Sequence, residues 1–192
     1  IVGEGTKFMA DIKKGNEIDI MGPLGRGYDV LSLQKEQTAL LVGGGIGVPP
    51  LYELAKQFNQ RGIKTITILG FNSKDEVFYE DEFKKFGETY VSTVDGSVGT
   101  KGFVTDVIKK LQEENNLVFD KYYSCGPVPM LKALVNAVGE DGYISLENRM
   151  ACGIGACYAC VCKKKKKDKN KDDYTRVCYD GPVYLASDVE IE

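Results

Sequence analysis

The chain contains no histidine at all. That removes the Cys/His mixtures common in structural zinc sites. It also removes the residue most often used as a general base, and no carboxylate stands in a recognisable constellation for proton abstraction. An excess of positive charge is missing too. With 25 Lys and Arg against 28 Asp and Glu, the net charge is −3 and the pI near 5.2, which excludes a nucleic-acid footprint. Long apolar runs are lacking. The longest uncharged stretch, Gln37–Tyr52, is interrupted by four glycines and two prolines, so no membrane span is expected. No secretory signal is expected. Five of the six cysteines fall between residues 152 and 178, which argues against a disulfide framework and for a reducing cytoplasm.

What the chain does have is a dense sulfur motif. Residues 150–162 read MACGIGACYACVC, and Cys152, Cys157 and Cys160 stand in C-x4-C-x2-C, with Cys178 further on. This is the plant-type spacing that holds a [2Fe–2S] cluster on four thiolates. The small residues between them, Gly153, Gly155, Ala156 and Ala159, let main-chain N–H groups approach the sulfurs. A structural zinc site and unliganded thiols are the alternatives; the single close pair and the leading x4 spacing fit zinc poorly. Cys162 lies two residues after Cys160 and on the same side of a strand. It is either a competing ligand or a small buried apolar residue.

At 192 residues the chain has length for a sizeable core, and 43% hydrophobic with 28% charged residues is ordinary for a globular protein. Three segments are expected. Residues 1–37 carry short apolar runs, Phe8–Ile12 and Ile18–Met21, between GEGT, KKGN and GPLGRG. This pattern suits antiparallel strands with glycine turns. The chain opens on Ile1 inside what reads as a domain, so an upstream segment is expected. Gly3, Gly5 and Thr6 offer either a simple turn or donors for a phosphate.

Residues 38–141 alternate β and α. Ala39–Val42 reads as a strand, GGGIGVPP follows, and Leu51, Leu54, Ala55 and Phe58 mark a helix at i, i+3, i+4 and i+7. Pro49 and Pro50 belong in its first turn. Strand, glycine turn and helix N-terminus make a pyrophosphate site. Gly43 and Gly45 fit G-x-G-x-x-G, but Val48 occupies the third glycine position. Asn72, Ser73, Lys74 and Asp75 after the next strand leave NAD and NADP undistinguished. Further strands at Thr89–Thr93 and Lys121–Ser124, with helices around Tyr79–Phe86, at Phe103–Leu111 and through Leu131–Val138, complete a parallel sheet with helices on both faces. A ligand is expected at the strands' carboxyl ends. Cys125, at one such end, is either packing or a neighbour of the nicotinamide.

Residues 142–192 form the small β-rich cluster module. Lys163–Lys167, Lys169 and Lys171 with Asp168, Asp172 and Asp173 read as the solvated tip of a hairpin, or as a docking patch for an acidic partner. Tyr174–Cys178 is its return strand, YDGPVY turns at Asp180–Gly181, and the tail SDVEIE carries no evident role.

Taken together, GEGT, GPLGRG, LLVGGGIGVPPLYELA, DGSVGTKG, YSCGPVPML, ENRMACGIGACYACVCK and VCYDGPVY resemble the electron-transfer subunits of class 1B dihydroorotate dehydrogenase, within the ferredoxin-NADP reductase-like flavoproteins. The resemblance implies a doubly wound α/β nucleotide domain, preceded by the end of a flavin-binding β-barrel and followed by the cluster module. It implies that Cys152, Cys157, Cys160 and Cys178 bind the cluster. It implies further that Gly3, Gly5 and Thr6 touch FAD, and that Gly43, Gly44, Gly45, Gly47, Cys125, Gly126 and Pro127 line an NAD site. The family's arginine-containing FAD motif is not in this chain, and the gap before Cys178 is lengthened by the lysine segment. The implied partner is an FMN-containing catalytic subunit in a two-plus-two heterotetramer, with Arg149, Tyr158 and the lysine segment as contacts. Electrons would pass between that FMN and NAD in pyrimidine biosynthesis. Reductase subunits of hydrogenase, transhydrogenase or oxygenase complexes share the same logic, and a non-redox zinc-held module is the alternative of another class.

Overall fold

The computed structural model describes residues 3–165 and 173–192. Its centre is a sheet of seven strands: β1 Thr38–Gly44, β2 Lys64–Phe71, β3 Gly87–Thr93, β4 Thr100–Lys101, β5 Lys121–Cys125, β6 Gly142–Ser145 and β9 Val183–Leu185, in the order β4-β3-β2-β1-β5-β6-β9. All neighbours pair in parallel except β6 and β9. The remaining strands, β7 Val161–Lys163 and β8 Tyr174–Arg176, form a separate antiparallel pair.

Strand side chains alternate faces, and the two faces have different covers. Ala39, Leu41, Leu69 and Tyr123 pack with Leu51, Leu54, Ala55 and Phe58 of α2 (Val48–Gln60). Leu40, Val42, Ile66, Ile68 and Tyr122 pack against α4 (Val104–Glu113) and α5 (Val128–Val138). Pro49 and Pro50 sit in the first turn of α2 as expected, where no N–H is lost from the helix ladder. Asp106 caps α4 by accepting from Phe103 N at 2.7 Å. The chain leaves β1 on one side through α2 and returns to β1's other edge through α4. The strand order therefore reverses between β1 and β5, which fixes where a ligand can enter.

The strands expected at Phe8–Ile12 and Ile18–Met21 do not form. Residues Glu4–Ala10 are a short helix, α1, and residues 11–25 are irregular. Strand pairing needs a partner edge, whereas Thr6 satisfies its neighbours locally: Oγ1 accepts from Gly3 N and donates to Gly3 O. Phe8, Met9, Ile18, Ile20 and Met21 are all exposed. GPLGRG is not a hairpin turn either. Arg26 bridges Pro182 in parallel and its N–H donates to Gly181 O, so the segment lies on the YDGP turn. Gly25 stands at φ +66° with no room for a Cβ beside Gly181 O.

The segment after β6 is sewn to the sheet rather than hung from it. β9 pairs with β6, and Cys160, Val177, Cys178, Ala186 and Val189 share the core beneath α5. The acidic tail has a structural task that its composition hid. Lys164 bridges Val189, Lys165 N donates to Asp188 O, and Glu190 N donates to Lys163 O. Lys163 reaches Glu190 and Glu192, and Lys165 reaches Glu140. These lysines are thus held, not free at a loop tip; the rest of the lysine segment, residues 166–172, lies outside the described residues. Among the described residues no helix is long and apolar enough to cross a membrane.

Candidate redox site: a nucleotide cavity and a cysteine loop

A cavity of about 390 Å³ opens at the point where the strand order reverses. Gly44 and Gly45 from the β1 turn and Pro127 from the β5 turn form one end. Asn72, Val94 and Phe103, beyond β2 and β3, form the other. The turns meet through main-chain atoms. A Cβ on Gly47 would strike the carbonyl of Cys125 and stand 2.7 Å from Gly126 N, and one on Gly126 would lie 3.1 Å from Gly44 N. Both glycine motifs are therefore required by close backbone approach. Of the sequence-predicted residues, Gly44, Gly45 and Pro127 line the cavity, while Gly43, Gly47, Cys125 and Gly126 form the contact beneath it. The missing third glycine is accounted for: Val48 is buried and packs on Gly43, and Gly47 makes the close approach in its place. Ser92 Oγ, buried and without a hydrogen-bond partner in the protein, lies on the cavity wall.

Cys125 is buried, and burial pushes its thiol pKa up. It packs on the α2 face near Tyr28, whose hydroxyl donates to Ser124 O at 2.8 Å. Gly3, Gly5 and Thr6 are exposed at the start of α1 and do not line the cavity.

The four motif cysteines come together as two pairs. The main-chain N–H groups of Cys157, then of Ile154, point at Cys152 Sγ, with the Cys157 thiol and Ala156 N–H beside them. These donors lower the Cys152 pKa to about 6. Cys178 N donates to Cys160 Sγ at 3.3 Å. The Cys178 pKa is raised, first by its hydrogen bond with the Cys160 thiol and then by burial; Gly155 N–H also faces it. Among the described residues no three Cys, Asp or Glu side chains converge on a point as one metal ion would need. Four sulfurs in two pairs suit a two-iron cluster, which takes two protein ligands per iron, better than one tetrahedral zinc. Donors aimed at the sulfurs fit a thiolate site of either kind. Cys162 is half-buried, and burial, then the neighbouring Cys160 thiol, raise its pKa to about 11.

Sequence reasoning missed the residue that ties this loop together. Arg176, two positions before Cys178, grips Asp180 through Nε at 3.0 Å and Nη2 at 3.3 Å, and its Nη1 donates to Gly155 O at 3.0 Å. Its guanidinium lies 4.6 Å from the Tyr179 ring centre and 5.2 Å from that of Tyr158. One side chain thus fastens the three-cysteine loop to the turn bearing Cys178, using the fork geometry that only arginine has. An arginine near a cysteine is uninformative in one dimension; the YDG that follows was the available signal, because Asp180 is its partner. Met21 and Leu24 lie against Gly153, so the irregular N-terminal segment also borders the loop.

Comparison with known proteins agrees with this geometry. Residues 147–190 match the iron–sulfur cluster binding domain of dihydroorotate dehydrogenase B, and residues 41–136 match the oxidoreductase NAD-binding domain. The first match sets aside the zinc alternative. The electron transfer subunit of dihydroorotate dehydrogenase B (NAD(+)) from Fusobacterium nucleatum is 94% identical over 192 residues, spanning all of this chain and 73% of the relative. The corresponding subunit from Bacillus pumilus is 54% identical over 190 residues, 98% of this chain and 71% of the relative. Among solved structures, that of an NADH-dependent reduced ferredoxin-NADP oxidoreductase superimposes with a TM-score of 0.83 at 32% identity, covering 99% of this chain and 66% of that one. The cytochrome b5 reductase domain of Ulva prolifera nitrate reductase, at 18% identity and TM-score 0.56, covers 74% of this chain and 63% of that one and shares the fold. With its nucleotide sheet, paired cysteines and these relatives, the chain belongs to the family of dihydroorotate dehydrogenase B electron transfer subunits.

Proposed function

We propose that this chain relays electrons between NAD and the catalytic subunit of a dihydroorotate dehydrogenase, in pyrimidine (UMP) biosynthesis. The observation that carries the reading is the cysteine loop built onto the same sheet that forms the nucleotide cavity: β9 pairs with β6, and Cys160 and Cys178 share a core with α5. Both sites therefore belong to one packed body.

Cys152, Cys157, Cys160 and Cys178 would hold a [2Fe–2S] cluster, and Gly3, Gly5 and Thr6 would contact FAD. When bound, a [2Fe–2S] cluster would carry one electron at a time, nicotinamide would exchange a hydride, and flavin, able to do both, would collect single electrons and pass them on as a pair. The protein's own residues supply position and charge. The Gly43–Gly47 turn and Pro127 offer unobstructed main chain to a pyrophosphate. N–H groups of Ile154, Ala156 and Cys157 stabilise negative sulfur at Cys152. Arg176 fixes the loop against Cys178. Dihydroorotate itself is oxidised on the partner, which carries FMN, since this chain has no histidine and no evident base. The assembly is a two-plus-two heterotetramer in the cytoplasm, where reducing conditions keep the thiols available. Exposed Met150, Ile154, Cys157 and Tyr158 give the partner its approach, with Arg149 at the edge.

The test is anaerobic reconstitution of the full-length subunit with a dihydroorotate dehydrogenase catalytic subunit. Dihydroorotate-dependent NAD reduction is expected, and Cys157→Ser should abolish it while leaving dinucleotide binding intact. NAD reduction at the wild-type rate by the serine variant would overturn the relay. A wild-type subunit that serves only a hydrogenase or oxygenase partner would redirect the assignment to those reductases.

A further inference from the structure

We infer that Arg176 is a positioning residue that sets the reduction potential of the cluster, acting through the Gly155–Ala156 peptide. This rests on the reading of Cys152, Cys157, Cys160 and Cys178 as the cluster site and deepens it. The side chain does more than fasten the loop, because of which carbonyl it holds. Arg176 Nη1 donates to Gly155 O at 3.0 Å. The nitrogen of that same peptide belongs to Ala156, whose N–H faces Cys152 Sγ. A donor on the oxygen of a peptide group polarises it and strengthens the N–H on its other side. One planar unit therefore couples a guanidinium at one end to a cysteine sulfur at the other. The preceding N–H, of Gly155, faces Cys178. Gly155 stands at φ +79°, a left-handed angle of the kind that turns successive N–H groups into a nest for negative charge.

The charges around this peptide have a direction. Reduction by one electron adds negative charge to the cluster and its thiolates, and hydrogen bonds to the sulfurs tune how readily that happens. The guanidinium gives Nη1 to the loop, while Nε and Nη2, on its other edge, hold Asp180 at 3.0 and 3.3 Å. The cation thus touches the loop and the carboxylate lies across from it. The rings of Tyr179 and Tyr158 lie 4.6 and 5.2 Å from the guanidinium, which limits the water that would screen its charge. A positive charge there favours the reduced form, and Asp180 holds back part of the effect.

The experiment is an EPR-monitored redox titration of the anaerobically prepared full-length holo-subunit and its variants. Arg176→Gln removes the charge and should lower the midpoint. The reduced-to-oxidised ratio at a fixed potential should fall about tenfold, which is about 59 mV for one electron. Asp180→Asn keeps the arginine, removes its counter-charge and should raise the midpoint, increasing that ratio about threefold or more. Arg176→Lys restores the charge without the fork, so it should recover most of the midpoint while recovering little of the loop's hold on iron. Loop packing alone predicts no such opposition of sign. Variants whose ratio stays within about twofold of wild type, or that both shift the same way, overturn the inference and leave the cluster standing. Should Arg176→Gln lose its cluster, Asp180→Asn decides alone, and a midpoint that does not rise overturns the inference. A wild-type holo-subunit without a cluster signal overturns the cluster reading and the inference with it.

Discussion

Replacing Gly47 with alanine isolates the contact on which the nucleotide cavity is built. Gly47 has ordinary backbone angles, φ −75° and ψ −8°, so alanine meets no conformational penalty there. The objection is purely steric: its Cβ would overlap the carbonyl of Cys125 and press on Gly126 N. Those are main-chain atoms of a strand locked beside β1, with Gly43 opposite Cys125, so no rotamer change relieves the clash. Overpacking typically costs about 1–3 kcal/mol. A backbone obstacle puts this case at the upper end, about 3 kcal/mol. In a chain of this size each kcal/mol lowers the midpoint by about 2–4 °C, giving a fall of about 6–12 °C. Gly45→Ala is the matching control. Gly45 stands at φ +52° and its Cβ would meet nothing in the protein, so the cost is the left-handed backbone alone, about 1–2 kcal/mol. That methyl would nevertheless enter the cavity where a phosphate must approach. Thermal unfolding and ADP-ribose titration of both variants separate the two roles. Gly47→Ala should lose more stability, and Gly45→Ala more affinity per degree lost. A Gly47→Ala midpoint within about 2 °C of wild type would refute the steric reasoning.

Arg176→Ala should loosen the cysteine loop, raising the rate of iron release to a chelator roughly tenfold or more and broadening the EPR signal. Arg176→Lys should recover little, since one ammonium cannot fork, and wild-type release from the alanine variant would remove Arg176 from the account. Cys162→Ser should leave the visible and EPR spectra unchanged; loss of iron would make Cys162 a ligand. After iron removal, alkylation should report the unequal thiols. Cys152, with its pKa held down to about 6, is mostly thiolate at pH 7, and its rate should fall as pH drops through 6. Cys162 should stay protonated until the pH nears 11, and a Cys152 rate still rising through pH 9 would contradict the donor geometry described for it.

How much could be read in advance depends on whether the information is local. The cysteine spacing, the GGGIG turn and the α2 stripe of Leu51, Leu54, Ala55 and Phe58 are all short-range signals, and the fold keeps the turn and the stripe. Residues 3–25 misled because Phe8–Ile12 and Ile18–Met21 have strand-like composition but no edge here to pair with, while Thr6 and Gly3 satisfy one another locally. The SDVEIE tail looked empty because its task is distant: it pairs with Lys163–Lys165 and buries Val189. Arg176 was missed for the same reason. It matters through what the fold sets beside it, Gly155 and Asp180.

The central claim is that Cys152, Cys157, Cys160 and Cys178 hold iron and sulfide. Anaerobically purified full-length protein should contain iron and acid-labile sulfide in equal amounts, absorb in the visible, and give a one-electron EPR signal on reduction, as a [2Fe–2S] centre requires. Colourless protein that carries zinc, or iron without sulfide, would contradict the account at its foundation.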